Sequence, residues 1–323
     1  MSITELFLFA LSVVVAGAVA GIVFLYKSEL DRAYRAARRG SLIAGTKAGP
    51  IEYADNGSGP PLLSIHGAGG GFDQGVANAA DIVGEGFRII APSRFGYLRT
   101  PIPQDGSAAA QADAHAALLS YLNVSKAAVI GASAGARSAI ELALRHPDRV
   151  TALVLISPST YAPSRPVAVE TSRGSRLVFW LVNRGADFVW WAAETIAPSL
   201  LVRFIGIRPE LFAASPKAEQ ARVMNIIRNI KPLSLRFRGI NVDSHTELHQ
   251  LPLEKIAAPT LIVAARDDGF NTLPAAEFAA SKIPYAELVI YEAGGHLLIG
   301  HEGELRMMVR SFLGLRDKAM AVL

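Results

Sequence analysis

A serine framed by small residues, Gly131-Ala-Ser133-Ala-Gly135, stands between an apolar run, Lys126–Ile130, and a helical pattern, Ala136–His146, that Pro147 ends. A tight strand-to-helix turn strains its central residue and needs small neighbours so that backbone can pass close by. It also raises the central hydroxyl at the carboxyl edge of a sheet, against a helix N-terminus. A Gly/Ala-rich turn is the plainer reading of the five residues alone, but their place between strand and helix makes Ser133 a candidate nucleophile. A serine hydroxyl is weak at neutral pH, so it needs a base within hydrogen-bond reach and an acid to orient that base.

Seven histidines could supply the base. His296 closes Glu292-Ala-Gly-Gly-His296 directly after the last apolar run, where a loop tip meets the carboxyl edge of a sheet. His301 lies one turn further and begins a closing helix. His66 shapes the loop after the third run, His146 sits at a helix end where a cation suits the dipole, and His115 falls inside a helical pattern. His245 and His249 have i,i+4 spacing, but no H-E-x-x-H pattern is present and no metal site is expected. For the acid, Arg266-Asp267-Asp268 follows the run Thr260–Ala265 at another strand end. Either carboxylate could hold the imidazole in its working tautomer, and a helix cap is the plainer reading of the pair. An oxyanion needs backbone N–H groups. Ala134, after the serine, offers one, and Ala68 or Gly69 in the loop His66-Gly-Ala68-Gly-Gly-Gly71 offers another. That loop is no nucleotide cradle, since a third dinucleotide glycine would fall at Phe72 and no P-loop lysine follows.

The elements that must position these groups alternate. Short apolar runs at 61–65, 87–90, 127–130, 152–156, 260–263 and 288–291 mostly lack period-two alternation, as strands covered on both faces do. Helical patterns at 108–122, 134–146 and 273–281 lie between them, which predicts an α/β protein with a mostly parallel sheet. Ser41–Thr46 and Ile51–Ala54 read as a leading antiparallel hairpin region. From about 158 to 253 the alternation stops. Helices broken at Pro198, Pro209, Pro216 and Pro232 carry all three tryptophans, Trp180, Trp190 and Trp191.

Together, HGAGGG at 66–71, GASAG at 131–135, the aspartates at 267–268 and the GGH ending at 296 resemble the α/β-hydrolase family with a cap domain, over residues 41–323. The resemblance implies the α/β-hydrolase fold, with helices on both faces of the sheet, and the triad order Ser133, Asp268, His296. It implies Asp268 rather than Asp267 as the acid, although Ala265 stands where the family's strand–G-x-x-D pattern has glycine. The segment Ser93–Thr100 corresponds to a family stretch whose first Asp and second Gly are replaced here, which leaves the triad untouched. With serine as nucleophile, relatives resembling haloalkane dehalogenases and epoxide hydrolases are disfavoured.

The 323 residues divide, on this reading, into a transmembrane anchor with a basic flank (1–40), a hydrolase core (41–157 and 254–323) and a helical cap (158–253). Residues 6–26 hold no charged side chain, enough to cross about 30 Å of hydrocarbon as a helix. Only Glu5 is charged before the span, whereas Lys27, Arg32, Arg35, Arg38 and Arg39 follow it, so a retained anchor with a cytoplasmic catalytic body is expected rather than a cleaved signal peptide. The 27–39 segment, five cations against two carboxylates, accounts for three of the chain's four net positive charges, and no nucleic-acid partner is expected. The absence of cysteine excludes disulfides, thiolate nucleophiles and iron–sulfur clusters. No cofactor is implied. In the cap, Arg184, Asp187 and Glu194 interrupt 176–198 too often for a second span. An apolar pocket beneath it is expected, with Trp180, Trp190 and Trp191 as candidate lining. An interfacial helix is the alternative reading of that stretch. The expected function is hydrolysis of a small apolar carboxylic ester. Carbon–carbon hydrolysis, lactone opening or perhydrolysis with the same triad, or a membrane-tethered binding protein without turnover, are the rivals.

Overall fold

The computed structural model describes residues 2–164 and 187–314. Trp180 and the rest of 165–186 lie outside the described residues. The first helix, α1 (Ile3–Ala36), is opened by a capping box in which Ser2 accepts from the Glu5 amide and Glu5 takes the Ser2 amide at 2.7 Å. It runs 34 residues with none buried, and its most apolar window has mean hydropathy 2.7. Among the described residues it is the one helix long and apolar enough to cross a membrane.

Eight strands follow: β1 (Leu42–Thr46), β2 (Gly49–Asn56), β3 (Pro61–Ile65), β4 (Arg88–Pro92), β5 (Ala127–Ala132), β6 (Val150–Ile156), β7 (Thr260–Ala265) and β8 (Ala286–Tyr291). They form one sheet in the order β1-β2-β4-β3-β5-β6-β7-β8. The β1/β2 and β2/β4 pairs are antiparallel and the remaining five are parallel. The leading hairpin, the parallel order and the strand positions agree with the sequence pattern.

Helices α2 (Phe72–Val83), α3 (Ala108–Tyr121) and α4 (Gly135–Arg145) connect the early strands. Between β6 and β7 come α5 (Asp187–Ile196), α6 (Pro198–Phe204), α7 (Pro209–Ala214), α8 (Lys217–Asn229) and α9 (Phe237–His245). Helices α10 (Leu273–Lys282) and α11 (Glu302–Phe312) follow β7 and β8 and are the last helices among the described residues. Why the strand runs lack period two is now visible. Leu63, Val129, Leu153, Leu155 and Ile262 point into a core with α3, α4 and α10. Their neighbours Leu62, Ile130, Val154 and Leu261 point into a second core with α2 and α11. Both faces are covered, so both must be apolar. The inserted helices have a third core of their own, built around Trp190, Val202, Val223, Ile227 and Ile240. Pro198 and Pro209 occupy the first positions of α6 and α7, and Pro216 the cap of α8, so the prolines that interrupt the pattern open helices rather than kink them.

Candidate active site

Ser133 joins β5 to α4 with φ of 50°, in the left-handed region that non-glycine residues rarely occupy. The surroundings hold it there. Its amide donates to Ile156 O at 2.9 Å, and its carbonyl accepts from the Ser159 amide at 3.0 Å. The flanking glycines are required by space: a Cβ on Gly131 would lie 2.7 Å from the Ala139 methyl, and one on Gly135 only 2.5 Å from His66 O. With its backbone committed in this way, Ser133 faces a cavity over the carboxyl edge of the sheet.

His296 lies buried on the same cavity, in the loop after β8. Its Nδ1 is 2.8 Å from Asp268 Oδ2. An ionised carboxylate only accepts, so Nδ1 carries the proton and Nε2 keeps a free lone pair. Asp268 also accepts from Thr272 Oγ1 and, at 2.8 Å, from the Phe270 amide. Burial works to raise the Asp268 pKa, but His296 and these three hydrogen bonds outweigh it and hold the carboxyl below its ordinary range. Asp267 does different work: it takes the Gly295 amide at 2.8 Å and Arg208 at 2.9 Å, fixing the histidine loop without meeting the imidazole. Among the described residues no hydrogen bond joins Ser133 Oγ to the His296 ring; such bonds commonly tighten only when substrate binds.

The glycine loop brings its amides beside the serine. The Ala68 and Ala134 N–H groups donate to no partner among the described residues, and both residues line the cavity. The Gly69 amide is already taken, by Tyr97 Oη at 3.3 Å. Of the two loop amides open from sequence, Ala68 is therefore the one left for a ligand. His66 braces this loop from below. Its Nε2 accepts the Arg94 amide at 2.9 Å, and its Nδ1 lies 2.7 Å from Gly67 O. Burial, with Arg94 adding to it, drives the His66 pKa well below the ordinary value and keeps the ring neutral. His115 is buried against Ser138 and His146 pairs with Asp113, both away from the cavity. His245 bonds back to its own helix and His249 is exposed beside Glu247.

The segment Ser93–Thr100 reaches further into the site than its sequence suggested. Arg94 pairs with Asp243 of α9 through two bonds of 2.7 and 2.6 Å, and Tyr97 Oη donates to the same carboxylate at 2.5 Å. All three side chains are buried. Burial opposes the charge on Asp243, but Arg94 and its hydrogen bonds prevail and keep the carboxyl below its usual range. Because Tyr97 Oη also holds Gly69, the inserted helix α9 is linked through one phenol to the glycine loop. A second link runs from the loop just before α9, where buried Arg236 donates to Gly70 O at 2.7 Å and pairs with Asp73. A third lies between α6 and α7: Gly206 O accepts the amides of Gly269 at 3.0 Å and His296 at 3.1 Å. Gly206 has φ of +80°, and a Cβ there would stand 2.8 Å from the His296 Cβ. In the sequence, Ser93–Thr100 stands only as a stretch that leaves the triad untouched, and nothing singles out Arg94, Tyr97, Arg236, Asp243 or Gly206, because the partners that give them their work are distant in sequence.

The cavity has a volume of about 660 Å³. Ser133, His296, Ala68 and Ala134 stand at one wall; Trp190, Phe204, Ile230 and Leu233 of the inserted segment form much of the rest. Trp191 instead turns toward α1. The family model for the alpha/beta hydrolase fold matches residues 60–302. The chain belongs to the α/β-hydrolase family. A 2-hydroxymuconate semialdehyde hydrolase of Pseudomonas putida is 29% identical over 273 residues, covering 81% of this hydrolase and 90% of that protein. Among solved structures, an alpha/beta hydrolase fold protein from Nakamurella multipartita superposes with TM-score 0.65 at 28% identity, over 84% of this chain and 98% of that one. A membrane phospholipase A shares the fold with TM-score 0.64 at 21% identity, covering 97% of this chain and 99% of its own. This hydrolase thus has a large pocket at its candidate serine and, among the described residues, one long apolar helix ahead of it.

Proposed function

We propose that the chain is a membrane-anchored serine hydrolase that cleaves a carboxylic ester with an apolar acyl group through an acyl-enzyme. The observation that carries this reading is the shared cavity, where Ser133, His296 and two free amides face one apolar chamber. Ser133 Oγ attacks the ester carbonyl carbon while its proton passes to His296 Nε2. The oxygen that gains the negative charge accepts from the Ala68 and Ala134 amides. Collapse breaks the bond to the alcohol, which leaves with the proton from His296, and the acyl group stays on Ser133. Water then repeats the sequence and releases the acid. Asp268 remains ionised throughout and stabilises the imidazolium. Residues 6–26 serve as the anchor, 158–253 as the cap, and the basic 27–39 flank keeps the catalytic body on the cytoplasmic side.

A second reading is carbon–carbon bond hydrolysis with the same serine and histidine. It is favoured by the relative from Pseudomonas putida, whose name is that of a semialdehyde hydrolase. The test has two steps. A fluorophosphonate probe is expected to label the purified hydrolase and to fail on Ser133→Ala and His296→Ala; a folded wild type that resists labelling would sink the whole assignment. Turnover is then compared on p-nitrophenyl esters of increasing acyl length and on a ring-cleavage dienoate. Ester turnover rising with chain length supports the first reading, and turnover of the dienoate alone supports the second.

A further inference from the structure

The inserted helices meet α1 where its apolar span ends. Tyr26 is the last residue of that span, and Phe188 of α5 stands edge-on to it at 5.3 Å, with Trp191 at 5.6 Å. One turn on, Trp191 Nε1 donates to Glu29 at 3.0 Å and Lys231 Nζ lies 3.5 Å from the same carboxylate; Tyr34 Oη meets Ser234 Oγ at 3.0 Å. These contacts set the inserted helices level with the first turns beyond the span.

Helix α5 has two faces. Trp190 is buried and lines the cavity, while Phe188, Ala192 and Ile196, spaced by four, form an outward stripe without charge. Phe188 is 46% and Ile196 82% exposed, and α6 adds Leu200 at 64%, a residue that also lines the cavity. Beside this edge, Arg32, Arg228 and Lys231 share a polar cleft with Glu29 and Glu194. Lys231 is buried and pairs with Glu194 at 2.6 Å and Glu29 at 3.5 Å, which leaves Arg32 and Arg228 as the cations at its exposed rim.

We infer that this edge of the inserted helices is seated in the bilayer interface, with Phe188 and Ile196 at the acyl boundary, Arg32 and Arg228 at the level of the lipid phosphates, and the cavity opening at Leu200 toward the leaflet. The inference rests on the reading of residues 6–26 as a bilayer span, because that span fixes the depth of Tyr26 and of whatever packs on it. Aromatic rings gather at the headgroup level, where one end is apolar and the other wet, and an amphipathic helix lies there with its uncharged stripe down. The exposed guanidinium groups of Arg32 and Arg228, one turn further out, meet the anionic headgroups at their own depth. The substrate class follows: an acyl ester resident in the membrane, entering the cavity tail first without crossing bulk water.

The absence of cysteine allows a clean test on the full chain. Single variants Phe188→Cys, Ile196→Cys, Val14→Cys and Lys126→Cys are spin-labelled and reconstituted in phosphatidylcholine–phosphatidylglycerol vesicles, and collision with oxygen is compared with collision with a water-soluble nickel chelate. Val14 lies mid-span, and Lys126 is an exposed residue at the amino end of β5, the sheet edge away from the cavity. The labels at 188 and 196 are expected to shift from the Lys126 value toward the Val14 value. Labels at both sites as open to nickel as Lys126 would overturn the inference, as would labels shielded from both agents, which would mean a second protein copy covers the edge. A Val14 label open to nickel would instead overturn the anchor reading. Ile196 is almost wholly exposed, so its variant tests the surface even if Phe188→Cys misfolds.

Discussion

Asp243→Asn is the substitution that tests the link between the inserted helices and the glycine loop most directly. The carboxylate is buried and receives two guanidinium bonds from Arg94 and one from Tyr97. Asparagine keeps the shape but removes the charge, leaving the Arg94 guanidinium buried without its counter-ion. Breaking such a pair costs about 3 kcal/mol. In a domain of this size that lowers Tm by roughly 5–10 °C, which leaves the protein folded at assay temperature. The kinetic effect is separate. Asparagine has one acceptor oxygen where the carboxylate had two, so Arg94 and Tyr97 compete for it; the bond that orients Tyr97 Oη weakens, its hold on the Gly69 amide loosens and Ala68, one residue away, drifts from the position an oxyanion requires. Losing one oxyanion donor outright costs about 10²–10³ in kcat; loosening it should cost about 10–100-fold, with KM little changed. Steady-state kinetics on a soluble short-chain ester, with Tm measured in parallel, gives both numbers. The double variant Arg94→Met/Asp243→Leu separates them, because removing both charges restores most of the stability while leucine leaves Tyr97 Oη with no acceptor at this position. A double variant that recovers full kcat together with Tm would refute the positioning role and leave the pair a purely structural one.

Three further outcomes are expected. Gly206→Ala should lower kcat about tenfold or more, because its Cβ would press 2.8 Å from the His296 Cβ at a φ of +80°, a strain of order 1–3 kcal/mol; kinetics unchanged from wild type would show that the 206 loop does not set the histidine. Thr272→Val removes one donor to the ionised Asp268, so the acid should titrate higher, and the acid limb of the pH–rate profile should move up rather than down while kcat at neutral pH falls several-fold. His115 is pushed down to about 3 by burial, with Arg94 adding to it, so below about pH 6.5 the unfolded chain takes up a proton that the folded one refuses. Stability is therefore lost as the pH falls, by about 2 kcal/mol between pH 6.5 and 5 for this residue. Urea unfolding of His115→Gln should show a pH 7 to pH 5 loss smaller by about that amount, and an equal loss in both proteins would contradict a neutral buried ring.

What could be read in advance follows a physical division. Strands were legible because a sheet covered on both faces needs apolar residues at every position, and runs such as Leu153–Ile156 have few other uses. The elbow was legible because steric demand at Gly131 and Gly135 leaves almost no choice of residue. The glycine spacing of the 66–71 loop left Ala68 and Gly69 open, since only the position of Tyr97 decides which amide is occupied. Helix α2 was missed altogether. It starts directly after that loop and carries Gly75 and Ala79 on its buried side, where small size suits close packing on the sheet but weakens the periodic signal. The Arg94–Asp243 pair joins positions 149 apart in sequence, and nothing local to either residue calls for the other. An arginine after a strand and an aspartate in a helix both read as solvated until the fold buries them together.

The inserted segment is bonded to the glycine, aspartate and histidine loops: Asp243 through Tyr97 and Arg236 directly reach the glycine loop, Gly206 O accepts the amides of Gly269 and His296, and Arg222 of α8 donates to Leu297 O at 3.1 Å. A cap that merely covered a finished site would need none of these bonds, since apolar packing alone would seal the pocket. Here α5 and the 231–234 stretch face α1, while Asp243, Arg236 and Gly206 reach the loops around the candidate triad. Any displacement of the inserted segment, such as the proposed seating in a bilayer would produce, must therefore change hydrogen bonds at the glycine loop or the histidine loop, because these contacts are short and directional. Substrate entry and catalytic geometry then become one conformational variable. On that account kcat on a soluble ester should respond to vesicle binding even though the ester never enters the bilayer, whereas a passive lid would leave it fixed.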